Sequence, residues 1–167
     1  MGLRILISIV VVASAVAGFV VFKQPSTPPQ NPPVGKPTDF NLIFKYGFEA
    51  KNELNTFDQT YTKDMVMDPS VTVNMVLSDT ELTAIYQKIN ELKLFDIGLP
   101  TDGNMEVTPC STYYLKIQTN SDARELSWDN CRGKTNDKLQ QVTDYIISII
   151  ESKEEYRNLP TPKGGYL

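Results

Sequence analysis

Carboxylates are the side chains of this chain best suited to catalysis. The 167 residues include 20 Asp and Glu but no His, so the commonest general base is missing. Asp58, Asp64 and Asp68, or Asp129, could supply the carboxylate pair of a glycosidase-type hydrolase, which needs two carboxyl groups about 5–10 Å apart. Because an acid-rich sequence contains such pairs by chance, a small carboxylate-dependent hydrolase is only our second hypothesis, and we predict no catalytic residues.

Oxygen-bearing side chains alternate over residues 102–106, as they do in calcium-binding loops. Asp102, Asn104 and Glu106 stand at every second position. The EF-hand pattern is incomplete, since both its central glycine and its terminal glutamate are missing at the required distances. A zinc site would need carboxylates to complete the two cysteines. We therefore predict a solvated loop, with no metal and no other cofactor.

Three aromatic residues near the cysteines could form a platform for a sugar or a peptide. They are Tyr113, Tyr114 and Trp128. In the strand pairing described next, Tyr113 and Trp128 fall on the apolar face, so we expect them in the core. Tyr114 falls on the opposite, polar face.

The segment from Cys110 to Cys131 predicts a β-hairpin. Two runs of alternating apolar and polar residues flank Asn120 and Ser121, which suit a two-residue loop. The resulting register pairs Thr119 with Asp122, Ile117 with Arg124, Leu115 with Leu126, and Tyr113 with Trp128. The same register places Cys110 opposite Cys131 at a non-hydrogen-bonded site, where Cα atoms are about 4.5 Å apart.

This spacing predicts a disulfide between Cys110 and Cys131. The alternative is a pair of free or buried thiols. A disulfide would indicate an oxidising compartment, outside the cytoplasm.

The N-terminal segment predicts a membrane anchor. Residues 3–22 contain only one charged residue, Arg4, and a helix of that length spans about 30 Å, the thickness of a bilayer core. A cleaved signal peptide is the alternative, because Ala15-Val16-Ala17 is a suitable cleavage site. Cleavage there would leave an apolar N-terminus, so we favour an uncleaved signal anchor over residues 1–23. Flanking charge does not decide the orientation, but the predicted disulfide places the C-terminal domain outside.

A proline-rich linker follows the predicted anchor. Six prolines lie between Gln24 and Pro37, and this density favours a stiff polyproline II spacer. We therefore divide the chain into an anchor (1–23), a linker (24–38), an extracytoplasmic domain (39–157) and an extended C-terminal tail (158–167).

The domain pattern predicts an α+β fold with the order β-β-β-α-β-β-α. The five strands are expected over 40–48, 54–66, 71–77 and the two arms of the cysteine hairpin. Ser78-Asp79-Thr80-Glu81 is a capping box that should open the first helix, which ends near Leu94 and Phe95. The second helix should follow Asn136, with Leu139, Val142, Ile146, Ile149 and Ile150 on one stripe. We expect a five-stranded antiparallel sheet with both helices on one face.

The charge distribution argues against nucleic acid as a partner. All 20 acidic residues follow position 38, whereas three of the 16 basic residues precede it, which leaves 13 basic against 20 acidic residues and a net charge of −7. Nucleic-acid-binding surfaces are basic. We therefore predict an acidic, solvated surface.

Parts of the domain resemble membrane-tethered or lipoprotein-type domains of bacterial genomes that have no assigned function. The similar segments are Asn55-Thr56-Phe57, Tyr61 to Met65, Leu77-Ser78, Leu159-Pro160 and Gly164-Gly165-Tyr166. The chain lacks the lipid-attachment cysteine of the lipoproteins. The resemblance implies a location at the bacterial envelope and no particular activity.

These observations together predict a single-pass membrane protein whose external domain binds a partner and is not an enzyme. We expect the membrane and an envelope protein as its partners. Secretion after signal-peptide cleavage is the alternative location. A structural accessory subunit of a membrane complex is the third functional hypothesis.

Overall fold

The domain is an antiparallel sheet with its helices on one face. A computed structural model of the chain describes residues 35–98, 109–131 and 136–166. These residues form six strands and three α-helices: β1 (Asn41–Tyr46), β2 (Asn52–Asn55), β3 (Thr60–Met65), β4 (Asp68–Asn74), α1 (Asp79–Glu91), β5 (Thr112–Gln118), β6 (Ala123–Asp129), α2 (Asp137–Ser152) and α3 (Glu154–Arg157). The spatial strand order is β4-β3-β2-β1-β5-β6, and neighbouring strands are antiparallel.

The α+β class with an antiparallel sheet is confirmed, but the prediction of five strands is wrong. The single strand predicted over 54–66 is a hairpin of β2 and β3. The side chain of Asn55 closes its turn by accepting hydrogen bonds from the amides of Phe57 and Asp58, and Gln59 adopts a left-handed conformation with φ 55°. Asn and Asp favour such turns. The alternation of aromatic and polar residues over 54–66 instead suggested one continuous strand.

Three other predicted boundaries are also wrong. The third strand, expected over 71–77, is β4 and runs from Asp68 to Asn74. Helix α1 ends at Glu91 because Lys93 is left-handed (φ 49°), and a 3-10 turn then buries Leu94. The first strand, expected over 40–48, ends at Tyr46.

The cysteine hairpin has the predicted register. Tyr113 pairs with Trp128 and Ile117 with Arg124, and the amide of Thr119 donates to the carbonyl of Asp122 at 2.8 Å. The disulfide between Cys110 and Cys131 is present, with a Cα–Cα distance of 4.9 Å. It indicates an oxidising environment.

The core lies between one face of the sheet and the two long helices. Its fully buried side chains come from alternate positions of the strands and from helical stripes: Leu42, Phe44, Leu54, Tyr61, Leu115, Ile85, Leu139, Val142, Ile146 and Ile150. Each large apolar side chain buried there contributes about 1.5–3 kcal/mol. Ile149, which was predicted on this stripe, is only partly buried.

The capping box of α1 is confirmed. The Ser78 hydroxyl accepts from the amide of Glu81 at 3.2 Å, and the carboxylate of Glu81 accepts from the amide of Ser78 at 2.6 Å. Lys153 donates to the same carboxylate and thereby joins the start of α1 to the end of α2.

The predicted anchor and most of the predicted linker lie outside the described residues. Within residues 35–98, 109–131 and 136–166, no helix is both long and apolar enough to cross a membrane.

Candidate functional site

The predicted calcium loop, residues 102–106, lies outside the described residues. The part of the chain that the structure describes contains no group of three or more His, Cys, Asp or Glu side chains that could hold a metal.

The four candidate aspartates have different partners in the structure. Asp58 lies in the turn between β2 and β3, where it accepts from Asn55. Asp68 forms an ion pair with Lys163 at 3.2 Å, and Asp129 accepts from the amide of Cys131. Asp64 lines the aromatic cavity described below.

Tyr113 and Trp128 do not form a binding platform. Their rings stack at 5.4 Å on the core side of the sheet, where Trp128 is buried. Their assignment to the core is confirmed. Tyr114 points to the other face, where burial and the carboxylate of Glu125 raise the pKa of its phenol.

The described residues enclose a larger aromatic cavity at the disulfide end of the sheet, which we call the aromatic groove. Its volume is about 580 Å³. Four aromatic side chains define it: Tyr46, Phe48, Tyr156 and Tyr166. Asp64, Lys63 and Glu151 supply its charges, and the backbone around Cys110 forms part of its wall.

The chain reversal after β1 positions the first two aromatic residues. Tyr46 ends β1, and Gly47 then adopts φ 91°, where a Cβ atom would lie 2.7 Å from the side-chain nitrogen of Asn52. Only glycine suits this conformation and this close contact. The carbonyl of Gly47 accepts from the amides of Ala50 and Thr112, so Phe48 is held in a short 3-10 turn beside the start of β5.

Two phenols that line the aromatic groove, Tyr46 and Tyr156, contact a third, Tyr61, which is fully buried in the core. The hydroxyls of Tyr46 and Tyr61 are hydrogen-bonded at 2.7 Å. Burial raises the pKa of both phenols well above the usual value, and the negative charge of Glu151 acts in the same direction. The pKa of Tyr156 is also raised, first by burial and then by Glu151, to which its hydroxyl donates. These phenols therefore stay neutral to a higher pH than an exposed tyrosine does.

The C-terminal tail closes one side of the aromatic groove. The ring of Tyr166 stacks on Phe48 at 3.8 Å, and its hydroxyl donates to Asp64 at 2.6 Å. The hydrogen bond to Asp64 raises the pKa of Tyr166. Lys51 donates to the same hydroxyl at 3.2 Å. Because Lys51 lies 5.0 and 4.8 Å from the two ring centroids, it sits beside the stacked pair rather than above either ring.

Lys63 carries a positive charge on the groove wall. Its ammonium lies 4.6 Å from the ring centroid of Tyr156 and donates to the carbonyl of Pro160 at 3.2 Å. Within the described residues, the structure shows no carboxylate paired with it. The amine is therefore available to a hydrogen-bond acceptor on a ligand.

A smaller cavity of about 310 Å³ lies at the opposite end of β5, beside the hairpin loop. Lys93, Asp96, Asp122 and Arg124 are its charged side chains, and Arg124 is paired with Asp122 at 2.8 Å. Arg124 also lies 5.9 Å from the ring centroid of Phe95. Because it is smaller and is lined by two aromatic side chains rather than four, this cavity is the weaker candidate.

The aromatic groove was not predicted from the sequence. Phe48 falls within the strand expected over 40–48, and Tyr166 falls within the tail expected over 158–167. The usable signal was Gly47 directly before Phe48, since glycine often ends a strand pattern.

The chain matches no protein-family model and has no significant match among curated proteins.

Proposed function

We propose that this protein is a membrane-tethered binding module whose ligand occupies the aromatic groove outside the cytoplasm. The aromatic groove itself carries this proposal. It combines four aromatic rings with hydrogen-bonding groups of both kinds in a volume of about 580 Å³, within the range of ligand pockets. No chemistry on the ligand is part of the proposal.

The proposed location rests on three features of the chain. The disulfide between Cys110 and Cys131 favours an oxidising compartment. The apolar segment 1–23 suits a signal anchor, and the prolines of residues 24–38 suit a stalk that holds the domain away from the bilayer. The resemblance to bacterial membrane-tethered domains favours an envelope partner.

The groove offers two kinds of binding energy. The rings of Phe48 and Tyr156 provide apolar contact area at little cost in conformational entropy. Asp64, Glu151 and Lys63 line the same cavity, so a ligand with both donors and acceptors can be oriented there.

Site-specific photo-crosslinking in the native membrane tests this proposal. A benzophenone amino acid replaces Phe48 in the full-length chain, and the matched control replaces Phe57, which is 41% exposed in the turn at the other end of β2. We expect a discrete adduct from position 48 and none from position 57. Equal yields at both positions, or no adduct at position 48, would contradict a ligand site in the groove.

The same experiment distinguishes a binding module from a structural accessory subunit. A binding module gives an adduct whose yield falls when free ligand is added. A structural subunit gives a stoichiometric adduct with one envelope protein that persists through purification.

A carboxylate-dependent hydrolase is a second candidate because Asp64 and Glu151 line the same groove. Asp64 already accepts from the Tyr166 hydroxyl and from the amide of Val66, which suits a structural role better. Hydrolysis of chromogenic glycosides by the intact protein would support this candidate only if Asp64→Asn and Glu151→Gln abolish it. Asp58→Asn, in the distant turn, is the control and should retain it.

A further inference from the structure

We propose that the aromatic groove and the adjoining backbone at Val66 recognise an extended peptide, and that residues 160–166 are the chain's own copy of such a ligand. This inference rests on the proposed function and specifies its ligand: the peptide takes the place of the tail, and its own tyrosine replaces Tyr166 as the fourth ring of the groove. The partner would be an envelope protein that presents an extended segment with a tyrosine-like side chain.

The contacts of the tail are those by which proteins bind extended peptides. The backbone of Lys163 forms a parallel β-bridge with Val66, and the carbonyl of Pro160 accepts from Lys63. Tyr166 then inserts between Phe48, on which it stacks, and Asp64, to which it donates. Main-chain hydrogen bonds supply affinity in such complexes, and side-chain pockets supply specificity.

The backbone that faces the tail is held in a strained conformation. Val66 has φ 64°, which is a genuine outlier for a β-branched residue. Its amide donates to Asp64, and the pairing of β3 with β4 is irregular between Lys63 and Met65. Glu49 and Ala50, next to Phe48, are left-handed as well. Strained backbone of this kind clusters at ligand-binding sites, and here it flanks both sides of Tyr166.

The tail can leave without opening the core. Leu159 packs against the core cluster, but Pro160, Thr161 and residues 163–165 are exposed, and Pro162 and Tyr166 are only partly buried. An exposed segment with few buried contacts is the part of a protein that opens most easily. A partner peptide can therefore replace the tail while the domain stays folded.

The tail also defines what the partner peptide must contain. Gly164 adopts φ 78°, so the position two residues before the aromatic side chain requires glycine or another residue that tolerates this conformation. The aromatic residue needs a hydroxyl to reach Asp64. We therefore expect recognition of an extended segment with the pattern glycine, any residue, tyrosine.

Competition between the tail and a peptide tests the inference. The probe is a fluorescent peptide with the sequence of residues 159–167, and its anisotropy is measured with the intact chain and with a variant that lacks residues 160–167. We expect saturable binding to the shortened chain. Binding to the intact chain should be at least tenfold weaker, because the attached tail competes at a high effective concentration.

Two controls identify the site. A peptide with Tyr166→Ala should lose at least tenfold in affinity for the shortened chain, and so should the natural peptide with a Phe48→Ala variant of that chain. A Phe57→Ala variant should bind as the shortened chain does. If the shortened chain does not fold, the intact chain with Tyr166→Ala serves in its place, because its tail lacks the anchoring side chain.

The outcomes are distinct from those of the crosslinking experiment. The peptide inference is overturned if the peptide binds the intact chain as tightly as it binds the shortened chain or the Tyr166→Ala chain. It is also overturned if neither of these variants binds the peptide although the variant tested keeps its thermal transition. A Phe48 adduct with a ligand that is not a peptide also overturns it but leaves the binding module standing. No adduct at all contradicts the proposed function itself.

Discussion

Removal of the disulfide should destabilise the domain by a calculable amount. The perturbation is the double substitution Cys110→Ser and Cys131→Ser in the full-length chain. The bond closes a loop with a sequence separation of 21 residues. A disulfide around a loop of this size lowers the entropy of the unfolded chain by roughly 11 cal/mol/K, which corresponds to about 3 kcal/mol at 25 °C.

The expected change in melting temperature follows from the size of the domain. About 130 residues, each with an unfolding entropy of about 2.1 cal/mol/K, give roughly 0.27 kcal/mol/K at the transition. A loss of about 3 kcal/mol then lowers Tm by roughly 10 °C. Near-UV circular dichroism follows this transition, because Trp128 and Tyr113 are stacked across the hairpin that the disulfide closes.

Reduction of the natural protein is the matched control. In reductant its Tm should fall to that of the double serine variant, whose own Tm should not respond to reductant. A difference below about 1 kcal/mol between oxidised and reduced protein would refute the loop-entropy reasoning. It would show that the β5–β6 hairpin already restrains the unfolded chain.

Three further predictions concern stability and can be measured by urea denaturation. Ser78→Ala removes the cap of α1 and should cost about 1 kcal/mol, whereas Ser148→Ala, on an exposed surface of α2, should cost less than about 0.5 kcal/mol; equal costs would contradict a capping role. Burial opposes ionisation of Glu81, but hydrogen bonds from Ser78 and the ammonium of Lys153 outweigh it and lower the pKa of this carboxyl below its ordinary 4.5. The stabilising contribution of this carboxylate is therefore complete above pH 4.5 and is lost as the pH falls through the lowered folded-state pKa. Glu81→Gln should therefore make the free energy of unfolding fall less steeply below pH 4.5. An unchanged acid profile would contradict the assignment. Val66→Gly relieves a left-handed valine and should raise the free energy of unfolding by about 1 kcal/mol; a loss would show that the valine side chain contributes more than its strain costs.

Local pattern was sufficient for the cysteine hairpin and for the start of α1. In a hairpin, a two-residue loop and period-two alternation determine every cross-strand pair, so Cys110 opposite Cys131 could be derived from residues at most 21 positions apart. A capping box involves only four consecutive residues. The class α+β and the antiparallel sheet followed from the same short-range patterns.

Local pattern failed where a turn competed with alternation. The segment 54–66 alternates well enough to suggest one strand, yet the side chain of Asn55 and the left-handed Gln59 fold it into β2 and β3. Once the segment is folded, Leu54 and Tyr61 are paired and both fully buried. Burial of this pair favours the hairpin over a single long strand.

The amino-acid sequence alone therefore determined the features that depend on neighbours along the chain: the fold class, the hairpin register, the disulfide and the helix cap. The aromatic groove was decided by the tertiary structure. Tyr46 and Phe48 meet Tyr156 and Tyr166 there although more than a hundred residues separate the two pairs. No periodicity links such distant positions, because their meeting depends on how α2, α3 and the tail return to the end of the sheet.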